Sequence, residues 1–427
     1  MEIKDLHKLF LECTGVSIDS RNVRAGELFV ALKGSRVDGN TFCKAALDNG
    51  AKLVIMDNES LFFNDSRIVL VQDSLTTLQQ LAIYHRSTFN FPVLGITGSN
   101  GKTTTKELIF SVLSKKYNAF ATQGNYNNHL GVPLTILSTP ADCNFLIVEM
   151  GANHIGDIEA LCKIADPDFG LITNIGKAHI EGFGSIEGVK IGKTELYRHL
   201  MKKDSVIFFN LEDSTLSNYL VNYKNKVPYE PSKLFKVLNN YPYLKLMSPI
   251  GEISTHFYGD YNLPNLAVAY EIGRYFNVDP DLIIDGISQY NPTNNRSQFL
   301  KKGDCYFILD AYNANPSSVV TSIVSFSKIL HPNKLIILGD MLELGTFEEA
   351  GHREVLDKLV DYGQSKVILV GETFSKFKEL YPYDFFKTRD EAIEFVKSID
   401  LKGKLILLKA SRGIALEKMM EEISPEF

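Results

Sequence analysis

At 427 residues the chain exceeds what one hydrophobic core usually supports, which predicts two or three domains. With 44% hydrophobic and 22% charged residues and no low-complexity tract, its composition is that of a globular protein and excludes disordered and fibrous classes. A net charge of -6 argues against nucleic acid as a partner, and no stretch approaches the roughly 18 apolar residues of a membrane span.

The first residues, MEIKDLHKLFLE, carry charges of both signs and lack an apolar core of signal-peptide length. Cys13, Cys43, Cys143, Cys162 and Cys305 are scattered, with no CxxC pair. Reduced thiols in a cytoplasmic protein are expected. Short strand-like runs follow (ELFVALKG, AKLVIMD, RIVLV), closed by the helical stretch LTTLQQLAIYHRS, so residues 1–90 predict a small α/β domain. From 91 to 297 apolar strands alternate with helices. FPVLGI, NFLIVEM and FGLITNI are continuous apolar runs, as expected of buried parallel strands. Between about Val221 and Pro249 the pattern weakens into Tyr-, Asn- and Pro-rich text, expected to form a peripheral hairpin or loop region. A second alternating block, 298–427, holds CYFILDAY, KLIILGDM, KVILVG and KLILLKA as strands. They are separated by helices such as PSSVVTSIVSFSKIL and EEAGHREVLDKLVDYG. The class is α/β with parallel sheets.

Ligand sites in such sheets lie beyond the carboxyl ends of the strands, so the residues closing each apolar run carry the chemistry. GITGSNGKTTTK joins strand FPVLGI to a helix and reads as a phosphate loop. Gly98, Ser99, Asn100 and Gly101 supply backbone N–H groups, Lys102 a point charge, and Thr103 and Thr104 hydroxyls, one within reach of Mg²⁺. A Walker loop would begin with glycine where Ile96 stands. Glu149 ends NFLIVEM, where a carboxylate can ligate Mg²⁺ or merely cap a turn; His154 follows on the loop and could equally be a surface histidine. His179, in a glycine-rich turn after FGLITNI, suits a metal ligand, an acid–base group or a packed loop residue. Lys190 and Lys193 in GVKIGKTELY read, from spacing alone, as a solvated helix face. Asn262 and Asn265 read as helix caps beside Pro264, and Asp310, Tyr312, Asn313 and Asn315 as a strand end and an Asn-Pro turn. An acidic residue at a strand end, such as Asp310, can also bind a ribose hydroxyl.

Taken together, GITGSNGKTTTK, VEMGANHIGDI, AHIEGFGS, GVKIGKTEL, GDYNLPN, NNRSQF and DAYNANPSS resemble the Mur ligases of bacterial cell-wall synthesis, in order and at that family's kind of spacing. TQGNYNNHLGVPLT and LGDMLELG resemble the members that use D-alanyl-D-alanine. DSRNVRAGELFVALKGSRVDGNTF resembles a uridine-nucleotide module. The resemblance spans nearly the whole chain and is weakest across about 215–255. It makes Ile96 a family trait. It implies a three-domain protein: an N-terminal uridine-nucleotide module, a central P-loop ATPase domain and a C-terminal Rossmann-like domain. The implied reaction is ATP-dependent amide ligation of D-alanyl-D-alanine to UDP-N-acetylmuramoyl-tripeptide through an acyl phosphate.

Carried over by motif, Lys102, Glu149, His179 and Lys193 are the implied catalytic residues. Thr103, Glu149, His179 and Lys193, the last as a CO₂-derived carbamate, are the implied Mg²⁺ ligands. Lys190 is the rival position, but Thr194-Glu195 fits the family pattern for Lys193. Asn262 and Asn265 are expected at the adenine of ATP, Arg296 near the γ-phosphate and Asp310 at the ribose. Tyr312, Asn313 and Asn315 are expected at nucleotide and dipeptide. Ser20, Arg21, Lys33, Asp38, Gly39 and Asn40 are expected at the uridine diphosphate, and Thr122, Asn125, Asn127 and Asn128 along the muramoyl-peptide. The chain departs from the family at Ser99, Asn40, Leu309 and Ala410, where Thr, His, an acid and Gly are usual. A monomer is expected. The alternatives are another ligase of the superfamily and a P-loop regulator that has lost catalysis; DAYNANP and LGDMLELG argue against the first, and the intact Lys102, Glu149, His179 and Lys193 against the second.

Overall fold

Strands β1 (Val16–Ser17), β2 (Leu28–Val30), β3 (Leu53–Met56) and β4 (Ile68–Leu70) pair in that order, all parallel, in a computed structural model that describes residues 1–293, 295–363 and 366–423. Asn294 of NNRSQF and residues 424–427 of the C-terminal domain lie outside the described residues. Every residue of β2 and β3 is buried, as their unbroken apolar runs require. Asp73 caps the helix Ser74–Arg86 by accepting from Thr76 N–H, and that helix packs against Gly131–Leu137 and Asp157–Ala165 of the next unit.

The central sheet contains β5 (Val93–Thr97), β6 (Ala119–Ala121), β7 (Phe145–Glu149), β8 (Phe169–Ile172), β9 (Val206–Asn210) and β10 (Lys226–Tyr229). Its order is β10-β9-β8-β5-β7-β6, and all pairs are parallel. The chain winds outward in both directions from β5, which makes the end of β5 a topological switch point. Register then decides what converges there: Ile96 lies beside Glu149 on β7 and beside Leu171 on β8. The loop leaving β5 therefore emerges between Glu149 and the Thr173–Asn174 turn. Ile96 is fully buried inside the strand, at the position where a Walker loop begins with glycine.

Where a hairpin or loop region was expected, β11 (Lys236–Asn239), β12 (Lys245–Ser248) and β13 (Gly251–Ser254) form a three-stranded antiparallel sheet. Leu244, Leu246 and Ile253 anchor it in the core shared with the helix Leu263–Tyr275. Only alternate residues of β12 are buried, a signal the Tyr- and Pro-rich text obscures.

The C-terminal sheet has the order β14-β15-β19-β16-β17-β18, from β14 (Gln298–Lys302), β15 (Cys305–Leu309), β16 (Lys334–Gly339), β17 (Val367–Val370), β18 (Asp384–Phe386) and β19 (Leu405–Lys409). Only the edge pair β14–β15 is antiparallel. Among the described residues no helix is long and apolar enough to cross a membrane.

Candidate active site

The ends of β5, β7, β8 and β15 open into a cleft of about 1200 Å³ between the central and C-terminal sheets. It is lined by Ser99, Asn100, Gly101, Lys102, Thr103, Thr104, Asn125, Asn127, Asn128, Glu149, His179, Asn262, Asn265, Arg296, Asp310, Tyr312 and Asn313. Seventeen positions chosen from sequence thus share one cavity. Ser20, Arg21, Lys33, Asp38, Gly39 and Asn40 do not line it.

Two glycines with positive φ shape the phosphate loop, Gly98 at 145° and Gly101 at 81°. A methyl on Gly98 would meet Thr173 Oγ1 at 2.0 Å, so the close approach to β8 demands glycine as well. No side chain caps the helix Lys102–Leu113, which leaves its first-turn N–H groups available to an anion. Asn174 grips the loop, accepting from Asn100 N–H at 3.0 Å and donating to Asn100 O at 2.9 Å. Ser99 Oγ donates to Gly176 O at 3.1 Å and accepts from Gly176 N–H at 2.9 Å, which is all that a threonine hydroxyl could do there. Lys102 folds back on its own loop, donating to Gly98 O at 2.8 Å. Burial lowers its pKa, Glu149 opposes that, and Arg296 adds to it.

Glu149 Oε1 accepts from Asn127 Nδ2 at 2.8 Å and from Thr103 Oγ1 at 3.2 Å, while the buried Oε2 has no partner. Both bonds are to side chains, so Glu149 caps no turn. An unpartnered carboxylate oxygen beside a threonine hydroxyl is a hard, anionic donor pair of the kind Mg²⁺ takes, with phosphate oxygens completing the shell. No three His, Cys, Asp or Glu among the described residues cluster to hold a metal alone. Beneath lies Thr122, whose Oγ1 accepts from Glu149 N–H at 3.0 Å and whose carbonyl accepts from the buried Lys106. Thr122 thus braces Glu149 from outside the cavity.

Lys193 is wholly buried, which overturns the solvated-face reading of its helix, Ile186–Lys193. Its Nζ donates only to Ala152 O, at 3.3 Å, and lies 5.2 Å from the Phe183 ring. Burial first, then Lys102, drives its pKa well below the lysine range, against Asp157 and Glu195. Lys190, by contrast, is partly exposed and pairs with Glu187 at 3.2 Å. His179 sits at φ 54°, with Nδ1 2.7 Å from Glu343 Oε2 of the C-terminal domain. That contact holds the Glu343 carboxyl below the usual range. His154 is a surface histidine 3.8 Å from Asp157.

The capping reading of Asn262 and Asn265 does not hold, since no side chain caps the helix they begin. Asn262 donates to Tyr258 O at 2.9 Å. Asn265 donates to Asn262 Oδ1 at 3.1 Å and accepts from Thr105 Oγ1 at 3.1 Å, beside Gly101. Arg296 lies 3.7 Å above the Tyr312 ring with its buried Nε unpartnered, and its neighbours Asn295 and Ser297 both hold positive φ. Asp310 is paired with the buried Lys409 because β15 and β19 run side by side, Leu309 against Leu408. Asn315 caps the helix Pro316–Ser327 and donates to Asn100 Oδ1 at 2.7 Å, joining the C-terminal domain to the phosphate loop. Asn128 Oδ1 accepts from Leu130 and Gly131 N–H groups, bracing its own loop.

In the N-terminal sheet, Asn40 uses its whole side chain internally. It donates to Asp38 and Asp57 and accepts from the N–H groups of Asp57 and Asn58, which makes it a lock on the fold. Gly39 abuts Leu32, whose carbonyl a methyl would meet at 2.4 Å. Arg21 pairs with Asp19 at 2.8 Å in the open, and the backbones of Lys33 and Asp38 meet in an isolated antiparallel β-bridge. Residues missed from sequence include Thr173, Asn174, Glu343, Lys409 and Arg412. Glu343 lies in LGDMLELG and Lys409 in KLILLKA, both already singled out. Arg412, 5.6 Å from the Tyr312 ring, follows shortly after Ala410, and Thr173 and Asn174 lie within FGLITNI, just past the end of β8.

A switch-point phosphate loop, a carboxylate with a free oxygen, a buried lysine of lowered pKa and a second sheet closing over them define a nucleotide-dependent enzyme with a two-domain cleft. Residues 96–273 match the Mur ligase middle domain, 295–412 the Mur ligase glutamate ligase domain, and 12–86 the Mur ligase family catalytic domain. The chain is 33% identical to the UDP-N-acetylmuramoyl-tripeptide–D-alanyl-D-alanine ligase of Bacillus subtilis, covering 96% of this chain and 93% of that one. It belongs to the Mur ligase family. Its fold matches MurF from Acinetobacter baumannii with a TM-score of 0.86 at 27% identity, covering 99% and 98% of the two chains. MurF from Thermotoga maritima, in complex with ADP, matches at 0.85 and 29%, covering 98% of each.

Proposed function

We propose that this chain is the ATP-dependent ligase that joins D-alanyl-D-alanine to UDP-N-acetylmuramoyl-tripeptide, yielding the pentapeptide, ADP and phosphate for peptidoglycan precursor synthesis. The observation that carries it is the 33% identity to the Bacillus subtilis ligase of that name across 96% of the chain. The A. baumannii and T. maritima MurF structures, each above 25% identity, support the same reading.

The chemical problem is repulsion, because a substrate carboxylate must attack a γ-phosphate. Lys102 leaves the carbonyls of Gly98 and Ser99 and moves its charge onto the phosphates, while the uncapped helix N-terminus takes the rest. Thr103 and Glu149 would hold Mg²⁺, and His179 a second ion; bound there, the metal would offset negative charge on the transferring group. Burial lowers the pKa of the Lys193 amine, which favours addition of CO₂ with loss of a proton; the carbamate would be an anionic oxygen donor of the kind Mg²⁺ takes. Asn262 and Asn265 receive adenine, Arg296 the γ-phosphate and Asp310 the ribose. Tyr312, Asn313 and Asn315 face nucleotide and dipeptide. Asn125, Asn127 and Asn128 follow the muramoyl-peptide, and Ser20, Arg21, Lys33, Asp38 and Gly39 the uridine diphosphate. The dipeptide amine then attacks the acyl phosphate, and the tetrahedral intermediate expels phosphate.

We assign 1–90 to the uridine-nucleotide domain, 91–297 to the ATP-binding domain and 298–427 to the C-terminal domain. All the residues named belong to one chain, so a monomer suffices. The thiols of Cys13, Cys43, Cys143 and Cys162 suit the cytoplasm. The test is ADP release by the purified enzyme. It should require both UDP-tripeptide and D-alanyl-D-alanine; release that depends on free diaminopimelate, lysine or glutamate instead would sink the reading. Turnover on the diaminopimelate and lysine forms of the tripeptide identifies the third residue.

A further inference from the structure

We propose that Glu343, on the C-terminal domain, is the positioning residue for His179, so that metal binding on the central domain is coupled to domain closure. The inference rests on the reading of His179 as a metal ligand. His179 Nδ1 lies 2.7 Å from Glu343 Oε2, which leaves Nε2 as the ring nitrogen free for a cation. A carboxylate on the far nitrogen of a metal-binding histidine fixes its tautomer and ring angle.

The backbone supports a built contact on both sides. His179 holds φ 54° and Glu343 φ 64°, a left-handed conformation that strains non-glycine residues and gathers at functional sites. Gly345, at φ 54°, brings the same loop against the His179 turn, where an added methyl would sit 3.1 Å from Glu181 Cβ. The 3₁₀ turn Gly345–Phe347 docks on the helix Ile180–Phe183 that His179 begins. Since the two partners belong to different domains, an open cleft separates Glu343 from His179 and leaves the imidazole unoriented. Linkage then requires the reverse: a cation on His179 favours the closed cleft by the same factor.

The experiment titrates Mn²⁺, read by the electron paramagnetic resonance of the free ion, into the full-length chain loaded with ADP. Glu343→Ala should weaken binding about 10- to 100-fold, the usual cost of losing such a partner. Glu343→Gln should recover most of it, because an amide oxygen still accepts from Nδ1–H. Glu354→Ala, which removes the neighbouring interdomain pair with Lys177 (2.6 Å), should leave affinity within about twofold. Spin labels across the cleft should move together on adding Mn²⁺ in the wild type and not in Glu343→Ala. If His179→Ala weakens binding while Glu343→Ala does not, the positioning role is wrong and the metal reading stands. If Glu343→Gln is as weak as Glu343→Ala, the role is again wrong. If His179→Ala itself has no effect, the metal reading fails and takes this inference with it.

Discussion

Glu149 and Asp340 are two carboxylates in matching places, one closing β7 of the central sheet and the other following β16 of the C-terminal sheet, and both are buried. Asp340 is fully engaged: it accepts from the N–H groups of Thr373 at 2.9 Å and Phe374 at 3.0 Å, with His352 Nε2 3.3 Å away. Glu149 keeps one oxygen unpartnered. The lysines repeat the contrast. Lys409 is buried against Asp310, whereas Lys193 is buried against a lone carbonyl. Buried charge without a partner is costly, so a fold retains it where a ligand supplies the partner. The two sheets share an architecture and divide the labour, reactivity on the first and fit on the second.

Replacing both lysines by methionine breaks this comparison most directly. Lys193→Met should lower kcat about 10³-fold by removing the anion expected at the metals, a loss in the range of one essential electrostatic group. Its melting temperature should nevertheless rise in CO₂-free buffer, because an amine whose charged form burial disfavours gives way to a thioether. The sign with pH follows. An unfolded lysine protonates below about pH 10.4. Between that value and the lowered folded pKa the unfolded chain binds a proton that the fold does not, so the native protein loses stability as pH falls. The gain from Lys193→Met should therefore be largest near neutral pH and shrink toward pH 10. A variant that melts lower than wild type at neutral pH would show the amine to be better satisfied than its surroundings indicate. Lys409→Met should do the opposite, destabilising by about 3–5 kcal/mol by stranding Asp310, as measured by urea unfolding.

Much of this division was legible in the sequence. Continuous apolar runs marked β5, β7 and β8 of the central sheet and β15, β16, β17 and β19 of the C-terminal one, and residues closing them became the cleft because parallel topology sends their ends to one side. Strands β6, β9, β10, β14 and β18 were not read from sequence. What escaped depended on register and on distance between domains. Spacing alone in GVKIGKTELY does not distinguish Lys190 from Lys193, since which face of a short helix is covered depends on Phe183 and Ala152, far along the chain or across a turn. Asn174 and Glu343 act through partners on other elements. Asn262, Asn265 and Asn128 show the converse, because composition marks them all as turn and cap formers while only Asn128 is bonded as one.

The carboxylate pair gives a smaller effect. Glu149→Gln should cut kcat about 10²- to 10³-fold while leaving thermal stability equal or higher, because no bond to Oε2 is lost. Asp340→Asn should cost about 1.5–3 kcal/mol of stability, since an amide cannot accept all the bonds that the carboxylate does, with kcat within a few-fold of wild type. Equal losses of activity from both would mean that the second sheet takes part in the chemistry.

The smallest effect tests whether the C-terminal edge is built for fit. Ala410 stands where its relatives are expected to carry glycine, and its methyl is fully buried. Room for it comes from the adjacent strand end, where a methyl added to Gly339 would lie 2.7 Å from Ala410 Cβ. One methyl therefore fills the space, and β16 or β19 can supply it but not both. Ala410→Gly should cost about 1 kcal/mol through backbone freedom and a small void. Gly339→Ala should cost about 1–3 kcal/mol through overpacking. In the exchanged double variant the contact with Ala410 disappears and only that with Ile414 Cγ2, at 2.9 Å, remains, so its loss should fall below the sum of the two single losses. Strict additivity, measured by urea unfolding of all four proteins, would mean the two residues do not share that space.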